Sequence, residues 1–279
     1  IERIFYIMKK GILKSAIIAS MITTAGLGGA GLHEASAAGY VNTGSHHLSP
    51  SEKTAIQQTP QSTFNQYPDA WGRDTFGSMK ELETTYKHLY NKVWNKQSRY
   101  SKSNTMIFAP HGGGIEVGTT EVANAIAKKG NYDFFAFNGL KKSNNRSLHV
   151  TSTHYDEPEL LQHLKTKKHS ISIHGAQGND KVVYVGGANK RLGYLCIQEL
   201  NKRGIKAVRS PQNLSGTSAK NIVNRNKTNQ GVQLEMTTAL RKSMFKDGNT
   251  KKSFRTSPWH WSQDMDKFSD AIQTAIKRY

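Results

Sequence analysis

From about residue 78 onward, short apolar runs alternate with stretches whose apolar residues recur at helical spacing. Met106-Ile107-Phe108-Ala109 predicts a buried strand, followed by a glycine loop and an amphipathic helix from about Thr119 to Lys129, ended by Gly130. Further strands are predicted at Tyr132 to Phe137, Leu148 to Thr151, Ile171 to Ile173, Val182 to Val185, Lys206 to Arg209 and Val232 to Met236. Helices are predicted over Glu157 to Lys165, Lys190 to Arg203 and Met265 to Lys277. Strands alternating with helices in this way predict a single α/β domain, with a central mixed sheet flanked by helices on both faces.

The N-terminal part follows a different pattern. Met8-Lys9-Lys10 opens a charged segment, Ile12 to Leu27 is apolar and rich in small residues, and Ala35-Ser36-Ala37 fits an export cleavage site. Residues before Met8 read as lying upstream of the start. The apolar run is too short and glycine-broken for a stable membrane anchor. Residues 38–77 are rich in Ser, Thr, Gln, Asn and His with little periodicity, as in a linker or arm. His46-His47 in that stretch reads as a solvent-exposed pair. The expected organisation is therefore residues 1–37 as upstream residues and signal, 38–77 as polar arm, and 78–279 as the folded domain, with the mature protein exported after cleavage near Ala37.

Composition narrows the chemistry. Hydrophobic residues make up 36% of the 279, enough for a core, and the single cysteine, Cys196, excludes an internal disulfide and a cysteine-ligated metal cluster. The formal net charge is +19; residues 1–37 hold four basic and two acidic side chains, which leaves +17 for the remainder. Such a field favours a polyanionic partner in general.

The sharpest chemical signal is Ala109-Pro110-His111-Gly112-Gly113-Gly114-Ile115-Glu116, in which a histidine just past a strand is joined by three glycines to a carboxylate just before a helix. Glycines let the backbone turn tightly enough to bring imidazole and carboxylate onto one cation. His174 closes the strand at Ile171 to Ile173 in the same manner. Two histidines and a glutamate, with a position left for water, describe a hydrolytic zinc site. Glu235 emerges near the end of an apolar strand as a candidate acid/base, and Arg209, ending another, could hold a substrate carboxylate bidentately. His154-Tyr155-Asp156-Glu157 has a His-x-x-Glu spacing, but Glu157-Pro158 is good helix-start chemistry and ranks second as a metal source. The chain has no Gly-x-Ser-x-Gly elbow, no His-Glu-x-x-His and no P-loop.

These blocks, together with Leu148-His149-Val150-Thr151-Ser152-Thr153-His154-Tyr155-Asp156-Glu157-Pro158, Ile173-His174-Gly175 and Gly231-Val232-Gln233-Leu234-Glu235, resemble the poly-γ-glutamate hydrolase family in order and spacing from roughly Met79 to the C-terminus. The resemblance implies a zinc carboxypeptidase-like fold, cleavage of γ-glutamyl amide bonds in poly-γ-glutamate, and one Zn2+ per chain held by His111, Glu116 and His174, with Glu235 as general acid/base. An anionic polymer is then the expected substrate, and no nucleic-acid partner is expected. Asn145, Arg146 and Arg209 are candidates for the substrate's carboxylates, while His149 and His154 are candidates to orient the ligands. Tyr155 stands where the resemblance leads one to expect phenylalanine. Two competing readings are another zinc amidase acting on cell-wall peptides, and a non-catalytic cationic protein that holds polyanions.

Overall fold

Side-chain alternation along the strands explains the layers. The computed structural model describes residues 49–58 and 74–279, which belong to one compact unit; the segment expected to be an export signal, His46-His47 and most of the expected polar arm lie outside the described residues. Seven strands form one mixed sheet: β1 (Trp94–Arg99), β2 (Thr105–Gly113), β3 (Asp133–Gly139), β4 (His169–Gly175), β5 (Val183–Gly186), β6 (Ala207–Arg209) and β7 (Val232–Met236), in the order β1-β3-β2-β4-β7-β5-β6. β3, β2, β4 and β7 run parallel, whereas β1 and the β5–β6 pair run the opposite way.

The helices are α1 (Pro50–Gln58), α2 (Met79–Thr85), α3 (Thr119–Gly130), α4 (Pro158–Leu164), α5 (Lys190–Lys202), α6 (Thr238–Ser243), α7 (Lys252–Arg255) and α8 (Gln263–Arg278). Ile107, Ala109, Ile171, Ile173, Val232 and Leu234 face α3, α5 and α8 in the larger core cluster. Their alternates Met106, Phe108, Phe135 and Phe137 face α2 and α4 on the opposite side. Burying both faces in this way is what makes the central strands read as continuous apolar runs. Along β4 and β7, however, the second face carries Ser172, His174, Gln233 and Glu235, so a polar strip crosses an otherwise apolar sheet. Among the described residues no helix is long and apolar enough to cross a membrane.

The expected fold class is the one observed, with four local differences. The predicted strand at Leu148 to Thr151 is a 3-10 turn, Asn145–Leu148, followed by unpaired extended chain. Its apolar residues fill the core, and its backbone groups bond to side chains of the site rather than to a neighbouring strand. Gly130 is the last helical residue of α3, while Asn131 takes the left-handed turn at φ 51°; a side chain at Gly130 would strike the Tyr132 ring. Strand β1 has no apolar alternation to announce it, as befits a charged edge strand. Finally, the folded domain reaches back past the boundary that composition suggested at residue 78: Phe76 is in the core, Asp74 enters the site, and α1 is ion-paired to α5 through Glu52 and Arg191.

Candidate metal centre

The carboxyl ends of the parallel strands β2, β4 and β7 meet at one rim, where an α/β sheet leaves its crevice. β2 ends in a register shift between Ala109 and Gly112, which turns His111 out of the ladder. Gly113 follows at φ +65°, and any side chain at Gly112 would lie within 2.2 Å of Thr120 Oγ1. The chain thus doubles back so that the Glu116 N–H donates to the His111 carbonyl at 2.9 Å, bringing the two side chains together. His174 and Glu235 arrive from β4 and β7 as direct register partners. All four side chains are buried.

The hydrogen bonds fix what this cluster lacks. His111 Nε2 lies 2.8 Å from the Val150 carbonyl, which only accepts, so Nε2 carries a hydrogen and Nδ1 is the nitrogen that meets Glu116 Oε1 at 3.0 Å. His149 Nδ1 donates to Asp74 Oδ1 at 2.7 Å, turning its Nε2 toward Glu116 Oε1 at 3.9 Å. His174 Nδ1 is 3.7 Å from Glu116 Oε2, and its Nε2 is buried without a hydrogen-bond partner. Imidazole nitrogens from three histidines therefore converge on one buried carboxylate, an arrangement suited to a shared cation. Ligand atoms of His111, Glu116 and His149 all lie within 4.8 Å of one another.

The electrostatics agree. Burial resists ionisation of Glu116, but His111 foremost and then His174 overcome it and hold the carboxyl at about 2. Burial opposes the charge on His111 as well, yet Glu116 raises it. Burial, reinforced by the neighbouring imidazoles, pushes His174 down to about 3 and His149 to about 4. His174 and His149 are thus held neutral beside an ionised carboxylate, as ligation requires, while the proton that Glu116 favours on His111 is one that a bound cation would displace. Burial and then the Glu116 charge raise Glu235 well above the usual carboxylate range. Its Oε1 accepts from Gln233 Nε2 at 2.9 Å, and Gln233 Oε1 accepts from Asn221 Nδ2 at 2.9 Å, so the carboxyl is held from one side.

The cluster opens into a cavity of about 590 Å³. Arg146 is the single Arg or Lys among the described lining residues, and lies 3.7 Å from Asp74. The other sequence candidates fall elsewhere. Arg209 lines a separate cavity of about 70 Å³ with Lys190 and Ser210, because β6 runs opposite to β4 and β7 and its carboxyl end points away from the rim. Asn145 exchanges hydrogen bonds with the Lys141 backbone and packs on Gly114. His154 is exposed and outside the cavity lining, and Glu157 caps α4 by accepting from Glu159 N and Leu160 N. Asp74, Thr151, Asn221 and Gln233 belong to the site without having been singled out. Of these only Gln233 carried a signal, since it alternates in phase with Glu235.

A profile of the poly-gamma-glutamate hydrolase family matches residues 76–271. Among curated proteins of Bacillus subtilis (strain 168), the chain is 34% identical to the UPF0714 protein YndL over 184 residues, covering 65% of this chain and 71% of YndL. It is 35% identical to the SPbeta prophage-derived UPF0714 protein YoqZ over 62% of each chain. Among solved structures, a bacteriophage poly-gamma-glutamate hydrolase superposes with TM-score 0.71 at 33% identity, covering 74% of this chain and 98% of that one. A zinc-free apo structure of YndL superposes with TM-score 0.67 at 31% identity, with the same coverage. Zinc, the cofactor implied by the sequence, suits the histidine and glutamate donors assembled here. With the α/β fold, the strand-end donors and these likenesses in agreement, the chain belongs to the poly-γ-glutamate hydrolase family.

Proposed function

We propose that the protein hydrolyses γ-glutamyl amide bonds of poly-γ-glutamate, with His111, Glu116 and His174 holding one Zn2+ and Glu235 serving as general acid/base. The observation that carries this reading is the convergence of imidazole nitrogens on one buried, ionised carboxylate beside a second carboxyl, Glu235, raised above the usual range. Zinc, when bound, supplies Lewis acidity that acidifies water and polarises an amide carbonyl. Glu235, held by Gln233, takes a proton from water and passes it to the leaving nitrogen, a role suited to a carboxyl poised above its ordinary range. Gly175 N donates to Glu116 Oε2 at 2.8 Å and keeps that carboxylate turned into the cluster. Asp74 orients His149, whose ring lies against His111 with centroids 4.0 Å apart. Arg146, at the cavity wall, is placed to meet a substrate carboxylate.

The excess of basic side chains supports an acidic polymer as substrate. Export with cleavage after Ala37 completes the proposal; the protein recovered from culture medium should begin at Ala38. To test the substrate class, purified zinc-loaded protein is incubated separately with poly-γ-glutamate and with cell-wall muropeptides. Shortening of the first alone supports the assignment, whereas cleavage of muropeptides alone would replace it with a cell-wall amidase.

A further inference from the structure

Arg241, on α6, is a buried arginine, and among the described residues it makes no ion pair. Beside a bond from Nη2 to the Thr238 hydroxyl at 3.3 Å, its guanidinium donates to main-chain carbonyls from three separate segments. Nη1 donates to Val117 O at 2.7 Å, Nη2 to Ala176 O at 3.1 Å and Nε to Met236 O at 3.1 Å. Each of these carbonyls lies within two residues of a group in the site: Val117 follows Glu116, Ala176 comes two after His174, and Met236 follows Glu235. The three segments are the turn after β2 and the carboxyl ends of β4 and β7, which carry the chemistry. Room for the guanidinium is specific as well, because a Cβ at Gly175 would lie 2.9 Å from Arg241 Cζ and Nε and 3.0 Å from Glu116 Cβ. The ionised acid that most offsets the buried charge is Glu116.

We propose that Arg241 is a positioning residue of the hydrolytic site, a fork that fixes the mutual spacing of the segments bearing Glu116, His174 and Glu235. Only a guanidinium has planar donors that reach three fixed carbonyls at once; an ammonium is a point charge on a flexible stem. A buried cation is costly unless its surroundings are built to receive it, and here those surroundings are the backbone of the site itself. The inference rests on the metal reading under Proposed function and adds a residue to it.

The test uses the full chain in four forms: wild type, Arg241→Lys, Arg241→Met, and Lys167→Met as a comparator. Lys167 forms an ion pair with Asp133 at the opposite, amino ends of the strands, so its loss destabilises the fold without touching the site. Zinc affinity is measured by competition with a chromogenic chelator, kcat and KM at saturating zinc, and folding by circular dichroism. Both Arg241 variants should bind zinc ~10-fold or more weakly, as for loss of groups that orient ligands; kcat should fall with KM little changed, and lysine should not rescue either. Lys167→Met should keep the zinc affinity and kcat of wild type. Folded Arg241 variants with wild-type zinc affinity and kcat would overturn the proposal, as would an equal loss in Lys167→Met. If the Arg241 variants do not fold, Gly175→Ala, which crowds both the guanidinium and Glu116 Cβ, serves as the negative test: unchanged zinc affinity there would overturn the role. Wild-type protein that binds no zinc overturns the metal reading along with this one; zinc binding by wild type and variants alike overturns only the role of Arg241.

Discussion

His174 and Glu235 face each other across the β4–β7 ladder as direct register partners on parallel strands. Strand alternation places both side chains on the face opposite the α3–α5–α8 core, so one ladder position delivers a metal donor and an acid/base to the same rim. Slipping either strand by one residue would send its own side chain into the apolar layer and break the pair.

Glu235→Gln keeps the shape and the Gln233 contact but removes the titrating group. We expect stoichiometric zinc, unchanged fold and a loss in kcat of roughly 10²–10⁴-fold. Metal analysis together with steady-state kinetics checks this, and a variant within twofold of wild type in kcat would remove Glu235 from the reaction.

The histidines should separate by metal content. His174→Ala should lose stoichiometric zinc. His149→Ala, which removes a ring oriented by Asp74, should retain zinc with affinity weakened about 10- to 100-fold. Loss of stoichiometric zinc from His149→Ala with retention in His174→Ala would exchange their assignments.

Tyr155 departs from the phenylalanine expected by resemblance, and the structure gives its hydroxyl a partner: it donates to the Pro110 carbonyl at 3.0 Å, immediately before His111. Tyr155→Phe should therefore cost about 1 kcal/mol of stability, the ordinary net contribution of a buried hydrogen bond. Urea unfolding measures this, and an unchanged midpoint would show the bond to be idle.

Away from the site, Glu83 is raised from 4.5 to about 7, by burial first and then by the neighbouring Glu157. The folded state then binds this proton more tightly than the unfolded chain, so the contribution is stabilising below about pH 4.5 and is lost as pH rises through 7. Glu83→Gln should flatten that part of the pH–stability curve. Urea midpoints at pH 5 and pH 7.5 provide the comparison, and parallel curves for wild type and variant would contradict it.

How much was legible in the sequence differs by residue. His111, His174 and Glu235 could be found because each is a polar group at the end of an apolar strand, and Glu116 because three glycines join it to His111 just before a helix. Arg209 looked equivalent by the same local rule, but strand direction is a property of the whole sheet, and β6 runs opposite to β4 and β7. Leu148 and Val150 are apolar for the sake of the core, while the Val150 carbonyl serves His111; periodicity records burial and says nothing of where a carbonyl bonds. Asp74 sits in polar sequence without any pattern, and its role exists only through a contact 75 residues away in the chain. Arg241 likewise reads as an ordinary basic residue in the last turn of a short helix.

The most direct test follows poly-γ-glutamate chain length during incubation with purified protein, with chelator-treated protein, with chelated protein resupplied with zinc, and with His111→Ala. Shortening by the first and third samples, and by neither of the others, is the expected result. Undiminished shortening by chelated, zinc-free protein or by His111→Ala would contradict a zinc-dependent hydrolase built on this site.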